Sequence, residues 1–200
     1  MDFAGPKRAM QIMSGYNKPW YVAGGWALDL YIGRERRPHY DLDIATYRED
    51  QLTLQQHFAG HHLQKYTGPD GAEYLETWAP GELLVLPDFQ IVLEKNEEGY
   101  AAVELLLNES QGDEWIWRKN QEVRYPKAQA GITSSEGIPF LSPEIVLLFK
   151  SQHVWGGNVN ELKDQRDFAE LLDILEFERR TWLKTTLETH YPDHKWISQL

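Results

Sequence analysis

Asp41 and Asp43 stand two residues apart in Arg37-Pro38-His39-Tyr40-Asp41-Leu42-Asp43-Ile44-Ala45, a segment that reads as a strand over 39–45. In a strand, residues i and i+2 share a face about 6.6 Å apart, so both carboxylates would project together while Leu42 and Ile44 turn to the core. Two such carboxylates resist joint ionisation unless a cation lies between them. Mg²⁺ suits that place, because it takes one or two carboxylates and completes its shell with substrate phosphates. Two ions roughly 3.5–4 Å apart can activate an attacking hydroxyl and stabilise a leaving group. His39 lies on the same face of such a strand, where it would orient a carboxylate, bind nucleotide or serve as a hydrogen-bonded structural histidine.

Just upstream, Tyr21-Val22-Ala23 reads as a short buried strand, Gly24-Gly25 as a tight turn, and Trp26 to Ile32 as an apolar helix. A helix that starts after glycines offers free N–H groups and a positive dipole end to an anion. A bare Asp-x-Asp is most often a solvated strand edge, and a glycine pair most often a turn. Their combination places a phosphate cradle beside a metal site, and that pairing points to nucleotidyl transfer.

The remaining pattern supplies a scaffold. Residues 6–15 read as an amphipathic helix, and Arg48 to Ala59 as another, with Leu52, Leu54 and Phe58 on one side. Strands are expected at 61–66, 72–78, 89–94 and 101–107, with a turn at Gly68-Pro69-Asp70-Gly71 and a break at Pro80-Gly81. Residues 114–118 form a short strand that puts Trp115 and Trp117 on one face. Residues 125–140 read as loop, with Pro126, Gly131, Ser134-Ser135 and Gly137. Ser142-Pro143-Glu144 then starts a helix, serine at the N-cap and proline at the first helical position. Ile145, Leu148 and Phe149 give it an apolar face, and Gly156-Gly157-Asn158 ends it. Glu161–Leu175 and Arg179–His190 follow as helices. The chain thus divides into an α/β part over 1–125 and a loop plus helical part over 126–200.

The net charge of −11, from 31 acidic against 20 basic residues, weighs against a large nucleic-acid footprint, and it either favours a cationic small substrate or serves solubility alone. The absence of cysteine removes disulfides and thiolate metal sites. No apolar run reaches membrane-span length, and no leader pattern opens the chain. A cytoplasmic protein is the simplest expectation.

The compound motif resembles the small nucleotidyltransferases of the DNA polymerase β-like superfamily, and within it the aminoglycoside 2″-adenylyltransferase-like and lincosamide nucleotidyltransferase group. The matching positions are Gly24, Gly25, Trp26, Asp29, Gly33, Arg37, His39, Asp41 and Asp43. A second patch is also similar to proteins of this group: Gly112-Asp113-Glu114-Trp115, Pro143-Glu144, Leu147-Leu148-Phe149-Lys150 and Lys163-Asp164-Gln165-Arg166-Asp167-Phe168. The resemblance spans roughly residues 18–175. It implies a mixed β-sheet flanked by helices, with the C-terminal helical part closing the nucleotide site.

It also implies one or two Mg²⁺ ions held by Asp41 and Asp43, an NTP donor with ATP foremost, and a small acceptor such as an aminoglycoside. The family pattern calls for a third carboxylate from a later strand. Glu104 is favoured, because a carboxylate inside Val103-Glu104-Leu105-Leu106-Leu107 is costly unless it has a partner or a cation. Asp88 and Glu94 are the fallbacks, and a solvated strand face is the bland alternative. Lys150 either neutralises phosphate or snorkels from its helix. Arg37 either forks a phosphate or pairs with an acid, Lys163 either meets phosphate or pairs with Asp167, and Asp164 and Asp167 cap or form ion pairs. Asp29 ties its helix to the neighbouring loop, and Trp26 belongs to the core. A non-catalytic nucleotide-binding module and a nucleotidyltransferase acting on protein or RNA, as in toxin–antitoxin pairs, are the rival readings.

Overall fold

A parallel pair of strands, β2 (Leu42–Tyr47) and β6 (Ala101–Gln111), forms the centre of the molecule. The computed structural model describes residues 3–67, 74–95, 97, 101–155 and 161–200. Around the central pair lie β1 (Trp20–Val22), β3 (Gln64–Thr67), β4 (Tyr74–Thr77), β5 (Gln90–Lys95), β7 (Glu114–Ile116), β8 (Arg124–Pro126), β9 (Gly131–Thr133) and β10 (Pro139–Leu141). The strands run in the order β4-β3-β5-β6-β2-β1-β10-β9, while β7 pairs with β6 and β8. β2 with β6 and β1 with β10 are parallel, and the other pairs are antiparallel, so the sheet is mixed. The helices are α1 (Ala4–Ile12), α2 (Gly24–Ile32), α3 (Gln51–His57), α4 (Pro143–Trp155), α5 (Glu161–Leu172) and α6 (Phe177–His190). The expected mixed α/β fold is therefore the one observed.

Alternation decides what faces what. On β2, Leu42 and Ile44 are buried on one face, and on β6 so are Val103, Leu105 and Leu107. The opposite face presents Asp43 and Ala45, then Glu104, Leu106 and Asn108. α4 packs against α2, α5 and α6, which makes the C-terminal helices one cluster with the motif helix.

Several elements differ from the sequence reading. β2 begins at Leu42, so Asp41 precedes the strand and His39 lies outside it. Trp26 Nε1 donates to the Asp41 carbonyl at 3.2 Å, and Pro38 has no N–H to extend a ladder. The second helix shortens to a 3₁₀ turn plus α3, and Leu52 is exposed rather than buried beside Leu54 and Phe58. Gln51 takes the inner position because its side chain accepts from Leu84 N at 2.6 Å and donates to Leu84 O at 3.3 Å. The segment read as loop over 125–140 contains β9 and most of β8 and β10. β10 joins the sheet through Phe140 beside Val22, and Ser134 closes the β9–β10 turn by accepting from Ile138 N at 3.1 Å. Ser142 does precede α4, and its carbonyl accepts from Val146 N at 3.2 Å, but its buried Oγ makes no hydrogen bond. The turns at residues 68–71 and 156–158 lie outside the described residues.

Candidate active site

Asp43 and Glu104 are register partners across the parallel β2–β6 pair, so two strands each deliver a carboxylate to the same sheet face. Asp41, two residues before Asp43, borders the same space. α4 and α5 cover that face, leaving a cavity of about 350 Å³. Gly24, Gly25, Arg37, Asp41, Asp43, Glu104 and Lys150 all line it, as do Lys163 and Asp164. The fallback carboxylates stand elsewhere. Glu94 is ion-paired with Arg8, and neither it nor Asp88 lines the cavity.

The glycine pair forms the first turn of α2 rather than a separate turn before it. Gly24 has φ +58°, a conformation that favours glycine, and no side chain caps the helix start. An added Cβ at Gly24 would enter the shell of Asp43 Oδ2 and stand 3.2 Å from its Cγ. At Gly25 it would stand 2.6 Å from both Arg37 Nη2 and His39 Cε1. Both glycines are therefore small because the site residues lie directly against them. The helix ends at Gly33, whose left-handed backbone lets its N–H reach Asp29 O at 2.8 Å.

A buried ion network fastens this motif to the C-terminal helices. Asp29 accepts from Arg36 Nε at 2.5 Å and bonds His39 Nε2 at 2.7 Å. Arg36 Nη1 reaches Asp167 at 2.9 Å, and Arg37 Nη2 reaches the other oxygen of Asp167 at 3.2 Å. Lys150 lies 2.5 Å from Asp164 and 2.8 Å from Asp167. Burial pushes Asp167 up, but Lys150, Arg37 and Arg36 outweigh it and bring the carboxyl down to about 2. At Asp29, likewise, the His39 hydrogen bond and the Arg36 charge overcome burial and hold the carboxyl below its ordinary range.

His39 does not line the cavity. It stands behind Gly25, with its ring against Trp26 at a centroid distance of 4.2 Å. Asp29 ties its helix to the loop as expected, and Trp26 is buried. Asp164 and Asp167 form ion pairs, and Asp167 pairs with Arg36, Arg37 and Lys150. Sequence reasoning missed Arg36 and Arg118. Arg36 sits in the basic run Arg34-Glu35-Arg36-Arg37, which does not show which member turns inward. Arg118 follows a tryptophan pair and carries no spacing signal. Its guanidinium lies 3.7 Å from the Phe89 ring centroid and 4.8 Å from that of Phe149, and burial lowers it to about 10.

The acidic side of the cavity is strained electrostatically. Burial, then Asp41, then Glu104 push Asp43 up to about 8, against the pull of Lys150 and Lys163. Burial and Asp41 also raise Glu104, which hydrogen-bonds Gln90 and Asp43. Among the described residues no three His, Asp or Glu groups form a closed ion-binding cluster. The donors are oxygen only and few, they border a cavity, and the missing side chain at Gly24 lets the backbone lie directly against the Asp43 carboxylate. That set fits a hard divalent cation whose shell is completed by substrate phosphates.

Among the described residues no helix is long and apolar enough to cross a membrane. No curated protein sequence gives a significant match. Solved structures do resemble this one. The antibiotic-resistance factor ANT(2″)-Ia in solution superposes with a TM-score of 0.56 at 13% identity, over 95% of this chain and 92% of that one. Its crystal structure with adenylyl-2″-tobramycin gives 0.58 at 11% identity, over 92% and 95%. The lincosamide antibiotic adenylyltransferase LnuA, lincomycin-bound, gives 0.51 at 18% identity, over 82% and 93%. At these identities the likeness establishes the fold. The sequence model described as aminoglycoside-2″-adenylyltransferase matches residues 7–171. With the motif helix, the paired strands and their carboxylates inside that span, the chain belongs to the aminoglycoside-2″-adenylyltransferase family and is a nucleotidyltransferase.

Proposed function

We propose that the protein transfers a nucleoside monophosphate, with ATP the first donor to test, to a hydroxyl of a small-molecule acceptor and releases pyrophosphate. The observation that carries this reading is the register pairing of Asp43 with Glu104, beside Asp41 and beside the uncapped start of α2. The N–H groups of the first turn of α2 hold the triphosphate. Asp41, Asp43 and Glu104 are the residues that would hold one or two Mg²⁺ ions. Bound there, the metal supplies Lewis-acid stabilisation of the phosphoryl charge. Glu104, brought beside Asp43 by the β2–β6 register and bordering the cavity, takes the proton of the acceptor hydroxyl. Lys163 offers positive charge to the phosphates from α5, and Lys150 does so from between Asp164 and Asp167. Arg36, His39 and Asp29 hold Arg37 and the loop in place. The division into an α/β core over 1–125 and a C-terminal part over 126–200 that closes the site is part of this proposal.

Adenylyl transfer is favoured by family membership and by the adenylyl-2″-tobramycin bound to ANT(2″)-Ia. An aminoglycoside is accordingly the first acceptor to assay. The test is pyrophosphate release from each NTP with Mg²⁺, in wild type and Asp43→Asn. Turnover in the wild type and none in a folded Asp43→Asn protein supports the assignment. Full activity in that variant refutes it.

A further inference from the structure

The sheet order gives the cavity two ends. Gly24-Gly25 follows β1, on one side of β2, whereas Gln90 of β5 and the adjoining Phe89 lie two strands away on the other. At about 4.8 Å per strand, β1 and β5 are about 14 Å apart. On the reading proposed above, a triphosphate at Gly24-Gly25 places the reacting phosphorus by Asp41, Asp43 and Glu104. The β5 side is then left for the molecule that brings the hydroxyl.

That side is basic and apolar. The Arg118 guanidinium borders the cavity, fixed between the rings of Phe89 and Phe149. Among the described residues no acid comes within ion-pair distance of it. Glu109, whose charge acts on it, is engaged by Arg48 at 2.7 Å. Asp164 is engaged by Lys150, and the other three acids of the lining belong to the reacting centre. Leu106 and Val146 line the space with carbon. A guanidinium held in a fixed plane, with its fork open to a cavity, matches the two oxygens of a carboxylate or phosphate. An ammonium group placed there meets like charge and has no acid to bond.

We propose that the acceptor carries an oxyanion, a carboxylate or a phosphate, that docks on Arg118 with an apolar body against Leu106 and Val146. Polycationic aminoglycosides are then poor acceptors despite the family to which the chain belongs. The net charge of −11 is a property of the whole chain, and this part of the cavity carries the opposite sign.

The test is ligand-observed NMR on the whole protein with Mg²⁺ and a non-hydrolysable ATP analogue. The probes are a set of hydroxylated carboxylates and phosphate monoesters, with tobramycin as the polycation. The expected result is binding within the anionic set that weakens at least tenfold in Arg118→Leu, is partly kept in Arg118→Lys, and competes with none of the bound ATP analogue. Affinity for the analogue stays within twofold. Three results overturn the proposal: tobramycin binding or tobramycin-dependent pyrophosphate release, no anionic hit, or a tenfold loss of ATP-analogue affinity in Arg118→Leu, which assigns the guanidinium to the donor phosphates. Failure of the wild type to bind the analogue at all overturns the donor site itself, and is told apart by calorimetry with the analogue alone.

Discussion

Replacing Gly24 by alanine burdens the fold and the chemistry by different amounts. Gly24 has φ +58°, and an L-residue in that conformation costs about 1–2 kcal/mol. For a 200-residue chain, each kcal/mol lowers the melting temperature by about 2–4 °C, so Gly24→Ala should melt about 2–8 °C below the wild type. The new Cβ also occupies the place of Asp43 Oδ2. The backbone of β2 is locked in a central strand, so the Asp43 carboxylate must turn away instead. A displacement of about 1 Å at a reacting group costs on the order of 10²-fold in rate. The assay is pyrophosphate release from ATP with Mg²⁺, with water or an added hydroxyl compound as acceptor, run beside thermal unfolding. A variant that melts slightly early and has lost about a hundredfold in turnover fits the geometry. Wild-type turnover in Gly24→Ala would refute the claim that Gly24 makes room for Asp43.

Other perturbations separate the site from its supports. Asp167 is held at about 2, below the ordinary carboxylate value, so its stabilisation is complete above about pH 4 and is lost as pH falls through 2. Asp167→Asn should lack about 2 kcal/mol of stability at neutral pH and lose that part of its acid dependence, measured by urea unfolding from pH 2 to 7. Glu104→Gln should reduce turnover more than a hundredfold with little change in NTP affinity, whereas Glu94→Gln should leave both unchanged; the opposite pattern would move the third carboxylate to β5. Leu105, fully buried on the reverse face of β6, should cost about 2–5 kcal/mol when cut to alanine. Calorimetry should find its NTP affinity intact wherever the protein remains folded.

The motif segment was legible because its chemistry and its packing coincide. Gly24 and Gly25 are required both by the helix start and by the side chains that crowd them, and Leu42 and Ile44 alternate with Asp43 as a half-buried strand must. Glu104 was legible for a related reason: a carboxylate among Val103, Leu105 and Leu107 needs a partner, and the register supplies Asp43. What escaped were positions set by distant pairing. β9 and β10 are three residues each, and Pro139–Leu141 is a strand because β9 lies on one side of it and Val22 on the other. Gln51 replaced Leu52 at the inner face of α3 because its amide satisfies Leu84, which no periodicity records. Spacing offers Asp167 to Lys163 as one of its two roles, but Arg36, Arg37 and Lys150 reach that carboxylate from elsewhere in the chain. Arg118 is a site residue because Phe89 and Phe149, distant in sequence, hold its guanidinium at the cavity.

The most direct test of the donor site is calorimetric titration of a non-hydrolysable ATP analogue, with and without Mg²⁺, into wild type and Asp43→Asn. Binding that requires Mg²⁺ in the wild type and weakens at least tenfold in a folded Asp43→Asn protein is the predicted result. Binding that is indifferent to Mg²⁺ and equal in both proteins would contradict the assignment of the carboxylates to a metal-dependent nucleotidyl-transfer centre.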